Sequence, residues 1–260
     1  MSKIMAITNQ KGGVGKTTTT VNLAASLAAA GRRVLLIDLD PQGNATMGSG
    51  IDKRDLEVTV YHVLLGRKTI AETRKNSEVG RYDVLPANRD LAGAEVELVD
   101  MPQRETRLRD ALQAVASEYD YVLIDCPPAL NLLTLNGLCA AKSVMIPMQC
   151  EYYALEGLSD LVNTIRKVRA SLNPVLEIEG LLRTMFDPRN MLAQQVSDQL
   201  QQHFGNKVYG TVIPRNIRLA EAPSYGVPAL YHDKLSKGTQ AYLALANELL
   251  SIETKPITVA

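Results

Sequence analysis

The segment from Lys11 to Thr18 carries residue types that can bind a phosphate group. It reads Lys-Gly-Gly-Val-Gly-Lys-Thr-Thr and contains the Gly-x-Gly-Lys-Thr core of a phosphate-binding loop. Glycines let successive backbone N–H groups turn toward a phosphate, Lys16 can neutralise its outer oxygens, and the Thr17 hydroxyl can bind Mg²⁺. Gln10 replaces the usual opening glycine, and Lys11 is a second lysine that an ordinary loop does not need. The sequence therefore predicts a nucleotide site built on an atypical loop.

Two further segments place carboxylates where a metal–phosphate cluster would need them. Asp38 ends the apolar run 33–38, Asp40 follows it, and Asp125 ends the apolar run 121–125. An aspartate at the end of a buried strand can hold Mg²⁺, usually through a water, because Mg²⁺ dehydrates reluctantly. The alternative is that Asp38 and Asp40 only cap and solubilise a turn. Beside a phosphate loop, the functional interpretation is favoured.

Apolar runs and helical segments alternate along most of the chain. The runs that predict strands are 4–8, 33–38, 82–86, 121–125, 143–148, 178–185 and 209–214. The segments that predict helices are 17–30, 91–99, 107–116, 154–171, 192–204 and 236–250. Such alternation is typical of an α/β fold, in which a mostly parallel, twisted sheet carries helices on both faces.

The composition is that of an ordinary globular protein. Its 260 residues can bury a full core, and we predict one domain over residues 1–250 followed by a flexible tail over 251–260. Lys plus Arg and Asp plus Glu number 28 each, so no global charge indicates nucleic acid, although a local basic patch stays open. No signal peptide or membrane span is predicted, and the three cysteines are expected to be reduced core thiols of a cytoplasmic protein.

Four motifs are specific enough to indicate a family. They are Lys-Gly-Gly-Val-Gly-Lys-Thr-Thr at 11–18, Leu-Ile-Asp-Leu-Asp-Pro-Gln-Gly-Asn at 36–44, Ile-Asp-Cys-Pro-Pro at 124–128 and Val-Ile-Pro-Arg-Asn at 212–216. In this order, along essentially the whole chain, they resemble the ParA/Soj partition ATPases, and most closely the short chromosomal type. That family belongs to the deviant Walker A class of P-loop proteins, together with MinD and the nitrogenase iron protein. The resemblance implies ATP or ADP with Mg²⁺ as ligands, and a slow ATPase stimulated by its partner and DNA.

The resemblance also assigns the nucleotide contacts. The residues that would surround the phosphates are Lys11, Gly12, Gly13, Val14, Gly15, Lys16, Thr17 and Thr18. Within this loop, Lys16 would contact the β- and γ-phosphates. Pro214 and Asn216 fall where the family holds the adenine end of the nucleotide.

The metal and catalytic roles follow from the same resemblance. Thr17 would bind Mg²⁺, with Asp38 and Asp125 supporting its ligand shell, while Asp40 would position the attacking water. Lys11 matches the signature lysine, which reaches across an ATP-dependent homodimer to the partner's nucleotide. A cation from outside the loop can speed phosphoryl transfer by about 10³-fold or more. Hydrolysis would then depend on dimerisation; the alternative for Lys11 is a solvated loop lysine.

The resemblance further implies DNA and a protein as partners. Arg189 and Arg218 match positions that the family uses for non-specific DNA binding by the dimer. Between residues 183 and 218 there are five Arg or Lys residues against two acids, a modest excess that a two-fold dimer would double. The alternative for each arginine is an ordinary surface residue. A ParB-type partner and a cytoplasmic, nucleoid-associated role in chromosome or plasmid segregation are also implied.

The main alternative is a MinD-like, membrane-associated spatial-regulator ATPase. That function needs a basic, amphipathic C-terminal helix, whereas residues 251–260 are few and are interrupted by Pro256, so we expect no membrane binding. An iron–sulfur reductase is disfavoured because Cys126 and Cys139 do not lie in the glycine-rich setting that such a cluster uses. A scaffold with a vestigial site is disfavoured because the phosphate loop and the aspartates are intact.

Overall fold

The computed structural model describes residues 2–254, and their centre is an eight-stranded β-sheet. The strands are β1 Lys3–Ile7, β2 Val34–Asp38, β3 Lys75–Ser77, β4 Tyr82–Leu85, β5 Tyr121–Asp125, β6 Ser143–Met148, β7 Glu177–Phe186 and β8 Val208–Pro214. Their order across the sheet is β3-β4-β2-β5-β1-β6-β7-β8. Every neighbouring pair is parallel except β3 and β4. The predicted fold class is therefore confirmed.

Helices connect these strands. They are α1 Lys16–Ala29, α2 Asn44–Gly48, α3 Val60–Leu64, α4 Ile70–Thr73, α5 Leu91–Glu97, α6 Arg107–Leu112, α7 Leu132–Ala140, α8 Ala154–Ser171, α9 Met191–Phe204, α10 Ile217–Glu221, α11 Ala229–His232 and α12 Lys237–Thr254. Among residues 2–254, none of them is long and apolar enough to cross a membrane.

The core lies in two layers, one on each face of the sheet. Successive side chains of a strand point to opposite faces, and in β1 Ile4 and Ala6 join one apolar cluster while Met5 and Ile7 join the other. The first cluster includes side chains of α3 to α9, and the second includes side chains of α1, α2 and α10 to α12. The central strands are thus buried on both faces, which explains why they read as continuous apolar runs.

Several elements were not predicted from the sequence. The antiparallel β3 and the short helices α2, α3, α4, α10 and α11 are brief and lack a clear period. Helix α7 is buried almost all round, so it shows no amphipathic pattern. Helix α12 continues to Thr254, so residues 251–254 of the predicted flexible tail are helical. The rest of that tail, 255–260, lies outside the described residues.

The two sheet edges are closed in different ways. At one edge, the three-residue β3 covers β4 in antiparallel fashion. At the other edge, the Glu248 carboxylate on α12 accepts hydrogen bonds from the backbone N–H groups of Gly210 (2.7 Å) and Thr211 (2.9 Å) in β8.

The three cysteines are unpaired and buried, and burial raises the pKa of each thiol.

Two helix glycines differ in the space around them, which gives a matched test of the packing. A Cβ added at Gly137 in α7 would lie 2.9 Å from Cys126 Sγ and 3.2 Å from Leu39 Cδ1, whereas one at Gly157 in α8 would meet no atom within 4 Å. Replacing glycine by alanine inside a helix stabilises the folded protein by about 0.5–1 kcal/mol. An overpacked side chain destabilises it by about 1–3 kcal/mol. Urea unfolding should show Gly137→Ala destabilised and Gly157→Ala stabilised. Equal shifts in the two variants would contradict this packing.

Candidate nucleotide and catalytic site

The sheet order brings the three predicted motifs to one place. Strand β5 lies between β1 and β2, and in this register Asp125 is level with both Ile7 and Asp38. The phosphate loop follows Ile7, and the Asp40 loop follows Asp38. Because the three strands are parallel, all of these segments leave the sheet at its carboxyl edge, where open α/β sheets bind their ligands.

The phosphate loop turns directly into α1. Gly13 (φ 72°) and Gly15 (φ 88°) have left-handed backbone conformations, which residues with a Cβ atom rarely adopt. Gly15 is the N-cap of α1, and the first turn of that helix contains no acidic residue. The positive end of the helix dipole therefore faces the loop, and no acidic side chain of the helix's own first turn opposes it, which favours an anion there.

Lys16 is held inside the loop. Its side chain is buried, and Nζ donates a hydrogen bond to the backbone oxygen of Lys11 at 3.1 Å. Burial lowers the pKa of Lys16, while the nearby carboxylates of Asp125 and Asp40 act in the opposite direction. An anion placed in the loop would favour the charged lysine and offset this desolvation.

Asp125 is fully buried and bound by two hydroxyl groups of α1. Thr17 Oγ1 donates to its Oδ2 at 2.8 Å, and Thr20 Oγ1 donates to its Oδ1 at 3.0 Å. Burial and the charge of Asp38 raise the pKa of Asp125 well above that of an exposed carboxyl group. Thr20 was not predicted as a site residue, because nothing in the run of four threonines distinguishes it.

The oxygens at this position suit Mg²⁺. Mg²⁺ keeps several waters and binds through one or two protein oxygens together with phosphate oxygens. The Thr17 hydroxyl and the Asp125 carboxylate, which touch each other, supply such a pair. Within residues 2–254 no group of three or more His, Cys, Asp or Glu side chains could hold a metal ion by itself.

Asp38 organises the loop that carries Asp40. Its Oδ2 accepts hydrogen bonds from the Thr46 backbone N–H and hydroxyl, both at 2.8 Å, and its Oδ1 accepts the Asp40 N–H at 3.1 Å. The Thr46 hydroxyl in turn accepts a hydrogen bond from the Ala87 N–H at 2.9 Å. Burial raises the pKa of Asp38. These contacts give Asp38 a structural role, and its support of Mg²⁺ stays a prediction.

Asp40 and Lys11 lie nearer to solvent than the residues just described. Asp40 is partly exposed, and its Oδ1 accepts the N–H of Gln42 at 2.9 Å. The exposed side chain of Lys11 forms an ion pair with Glu151, with Nζ 2.5 Å from Oε2. The partner acid lies 140 residues away, so no sequence pattern could have identified it.

The predicted adenine end lies beside the phosphate loop. A cavity of about 170 Å³ is lined by residues of both segments, among them Gly15, Thr18, Pro214 and Asn216. The Asn216 side chain accepts the N–H groups of the next helix, which fixes the turn after β8. The structure thus brings the first and fourth sequence motifs together.

The two predicted DNA-binding arginines follow neighbouring strands, β7 and β8. Arg189 pairs with Asp187 at 2.8 Å, and Arg218 pairs with Glu221 at 2.9 Å and with Asp233 at 3.3 Å. Exposed ion pairs are worth only about 0–1 kcal/mol. A phosphate could therefore replace these acids at small cost, but DNA binding stays a prediction.

Comparison with known proteins agrees with this geometry. Residues 2–178 match the family model described as an AAA domain. The chain is 57% identical to the sporulation initiation inhibitor protein Soj of Bacillus subtilis over 96% of its length and 98% of that protein's. It is 54% identical to the chromosome partitioning protein ParA of Myxococcus xanthus, over 98% of its length and 90% of that protein's.

One solved structure is similar to this chain in both fold and sequence. It is the cobyrinic acid a,c-diamide synthase of Mycobacterium smegmatis with bound ADP and magnesium, which is 39% identical, has a TM-score of 0.86, and matches 98% of this chain and 96% of that one. The phosphate loop, the buried aspartates behind it and these relatives lead to one conclusion: this chain belongs to the ParA/Soj family of P-loop partition ATPases.

Proposed function

We propose that this protein is an ATP-dependent switch that dimerises, binds DNA non-specifically and acts with a ParB-type partner in chromosome or plasmid segregation. The observation that carries the proposal is the contact of Thr17 with Asp125 beside the buried Lys16. This arrangement suits a nucleotide with Mg²⁺, and the cellular process is taken from the name of the Myxococcus xanthus relative, a chromosome partitioning protein.

In the proposed reaction, the chain holds ATP and positions the attacking water. Lys16 and the N-terminus of α1 bind the phosphates, and Pro214 and Asn216 hold the adenine end. Mg²⁺, when bound by Thr17 with Asp125 behind it, would neutralise charge on the β- and γ-oxygens. Asp40 accepts a hydrogen bond from the water, at a loop position that Asp38 fixes. Turnover by one copy alone is expected to be slow.

In this proposal, dimerisation supplies a further positive charge to the phosphates, from Lys11 of the other copy. Lys11 lies on the surface at the front of the phosphate loop, where it can reach the phosphates of a second copy. ATP then holds two copies together, and hydrolysis separates them. The dimer doubles the surface that carries Arg189 and Arg218, which favours salt-dependent contacts to DNA phosphates. We place the protein in the cytoplasm, on the nucleoid.

Replacing Asp40 tests its role in hydrolysis. The Asp40→Ala variant should still bind ATP and should accumulate as a dimer, because only the water-positioning carboxylate is lost. Hydrolysis should fall by about 10²- to 10⁴-fold, measured as phosphate release, with Asp55→Ala, an exposed aspartate outside the site, as control. Normal turnover in Asp40→Ala would assign water positioning to another group.

Replacing Lys11 tests the dimer. Lys11→Ala should retain ATP binding but remain monomeric in light scattering, because each dimer loses two charged contacts to phosphate. Charged hydrogen bonds are worth about 1.5–3 kcal/mol each, so dimerisation should weaken by about 10²-fold or more. A dimer of unchanged stability would mean that Lys11 is an ordinary loop lysine.

Charge reversal tests the DNA surface. The double variant Arg189→Glu and Arg218→Glu should lose ATP-dependent retention of non-specific DNA while still forming dimers. The matched control reverses two exposed arginines elsewhere, Arg32 on the turn before β2 and Arg169 near the end of α8. Each lost phosphate contact should also reduce the salt slope of binding by about 0.9. If both double variants behave alike, the DNA surface lies elsewhere.

A further inference from the structure

The ion pair between Lys11 and Glu151 joins two loops at the carboxyl edge of the sheet. Glu151 lies in the loop between β6 and α8, and both side chains of the pair are about half exposed, at 48% and 51%. The same loop makes a second contact with the phosphate loop, because Gln149 Nε2 donates to the Gly13 backbone oxygen at 3.4 Å. Glu151 is therefore held against the loop that carries the nucleotide-binding residues.

The backbone of Lys11 has separate anchors. Asn9 accepts the Lys11 N–H at 3.0 Å and donates to the Pro147 oxygen at 2.9 Å, which ties the loop to β6. The Lys11 carbonyl oxygen accepts the ammonium group of Lys16 at 3.1 Å. Because these contacts fix the backbone, a change of partner by Lys11 requires only that its side chain rotates away from Glu151.

We propose that Glu151 is an intramolecular latch on Lys11, which must open before Lys11 can reach a phosphate of a second copy. This inference rests on the proposed dimer and adds a regulatory step to it. The Glu151 carboxylate holds the Lys11 ammonium group in an ion pair, so Lys11 must exchange this carboxylate for a phosphate oxygen of the second copy. Its negative charge also repels an approaching phosphate. The latch therefore raises the threshold for dimerisation without changing the nucleotide site itself.

The expected size of the effect follows from the exposure of the pair. Exposed ion pairs contribute about 0.2–1 kcal/mol, and each dimer must open two of them, so the latch should weaken dimerisation by about 2- to 30-fold. Because both partners face solvent, salt should screen the pair. If Glu151 is a latch, the gain in dimer affinity on removing its charge should become smaller as ionic strength rises. A purely structural role of Glu151 does not predict this dependence on salt.

The test compares Glu151→Gln with Glu156→Gln in the full chain. Glu156 is an exposed acid in the first turn of α8, so its variant loses the same charge a few residues from the latch. Sedimentation with Mg²⁺ and a non-hydrolysable ATP analogue, without DNA, gives the dimer dissociation constant. Glu151→Gln should lower it by about 2- to 30-fold at low salt and by less at about 1 M salt, where the Debye length is about 3 Å. Glu156→Gln should match the wild-type protein at both salt concentrations.

Other outcomes contradict the latch in distinguishable ways. If the wild-type protein dimerises and both glutamine variants match it, the latch is wrong and the proposed dimer stands. If Glu151→Gln dimerises more weakly, Glu151 supports the dimer instead of opposing it, and the latch is also wrong. If the wild-type protein stays monomeric with the analogue, the proposed dimer fails and the latch fails with it. Equal melting temperatures of the three proteins would show that folding is unchanged.

Discussion

The burial of two carboxylates side by side is the constraint on which this site depends. Asp38 and Asp125 end neighbouring strands, are level with each other and have no exposed surface. Burying such groups is costly unless donors satisfy them. The donors come from outside the sheet, as Thr17 and Thr20 of α1 bind Asp125 and Thr46 binds Asp38. The aspartates therefore fix the position of the first helix and of the loop that carries the catalytic candidate.

The same constraint explains the electrostatic character of the phosphate loop. Lys16 is buried near Asp125, which in turn lies beside Asp38, and desolvation disfavours the charged forms of all three groups. A phosphate with a bound metal ion would bring charges of both signs into this space. It would thus satisfy the lysine and the carboxylates together, which neither an anion nor a cation could do alone.

The sequence was sufficient to predict the central fold, and it located the residues of the candidate site, because both signals are local. The strands β1, β2, β5 and β6 are buried on both faces and appear as apolar runs, and the phosphate loop is a contiguous motif. Contacts between distant residues were not predictable. The pair of Lys11 with Glu151 spans 140 residues, and the hydrogen bond from the Ala87 N–H to the Thr46 hydroxyl joins the loop after β4 to α2. Neither leaves a pattern along the chain.

The closed edges of the sheet bear on how copies of this protein can meet. An open strand edge invites another chain to add to the sheet, which leads to aggregation. Here β3 is too short to template a long strand, and Glu248 occupies two amide groups of β8. Side-by-side growth of the sheet is disfavoured at both ends. Association is thereby directed away from the strand edges, so that a reversible, ligand-controlled contact need not compete with irreversible β-pairing.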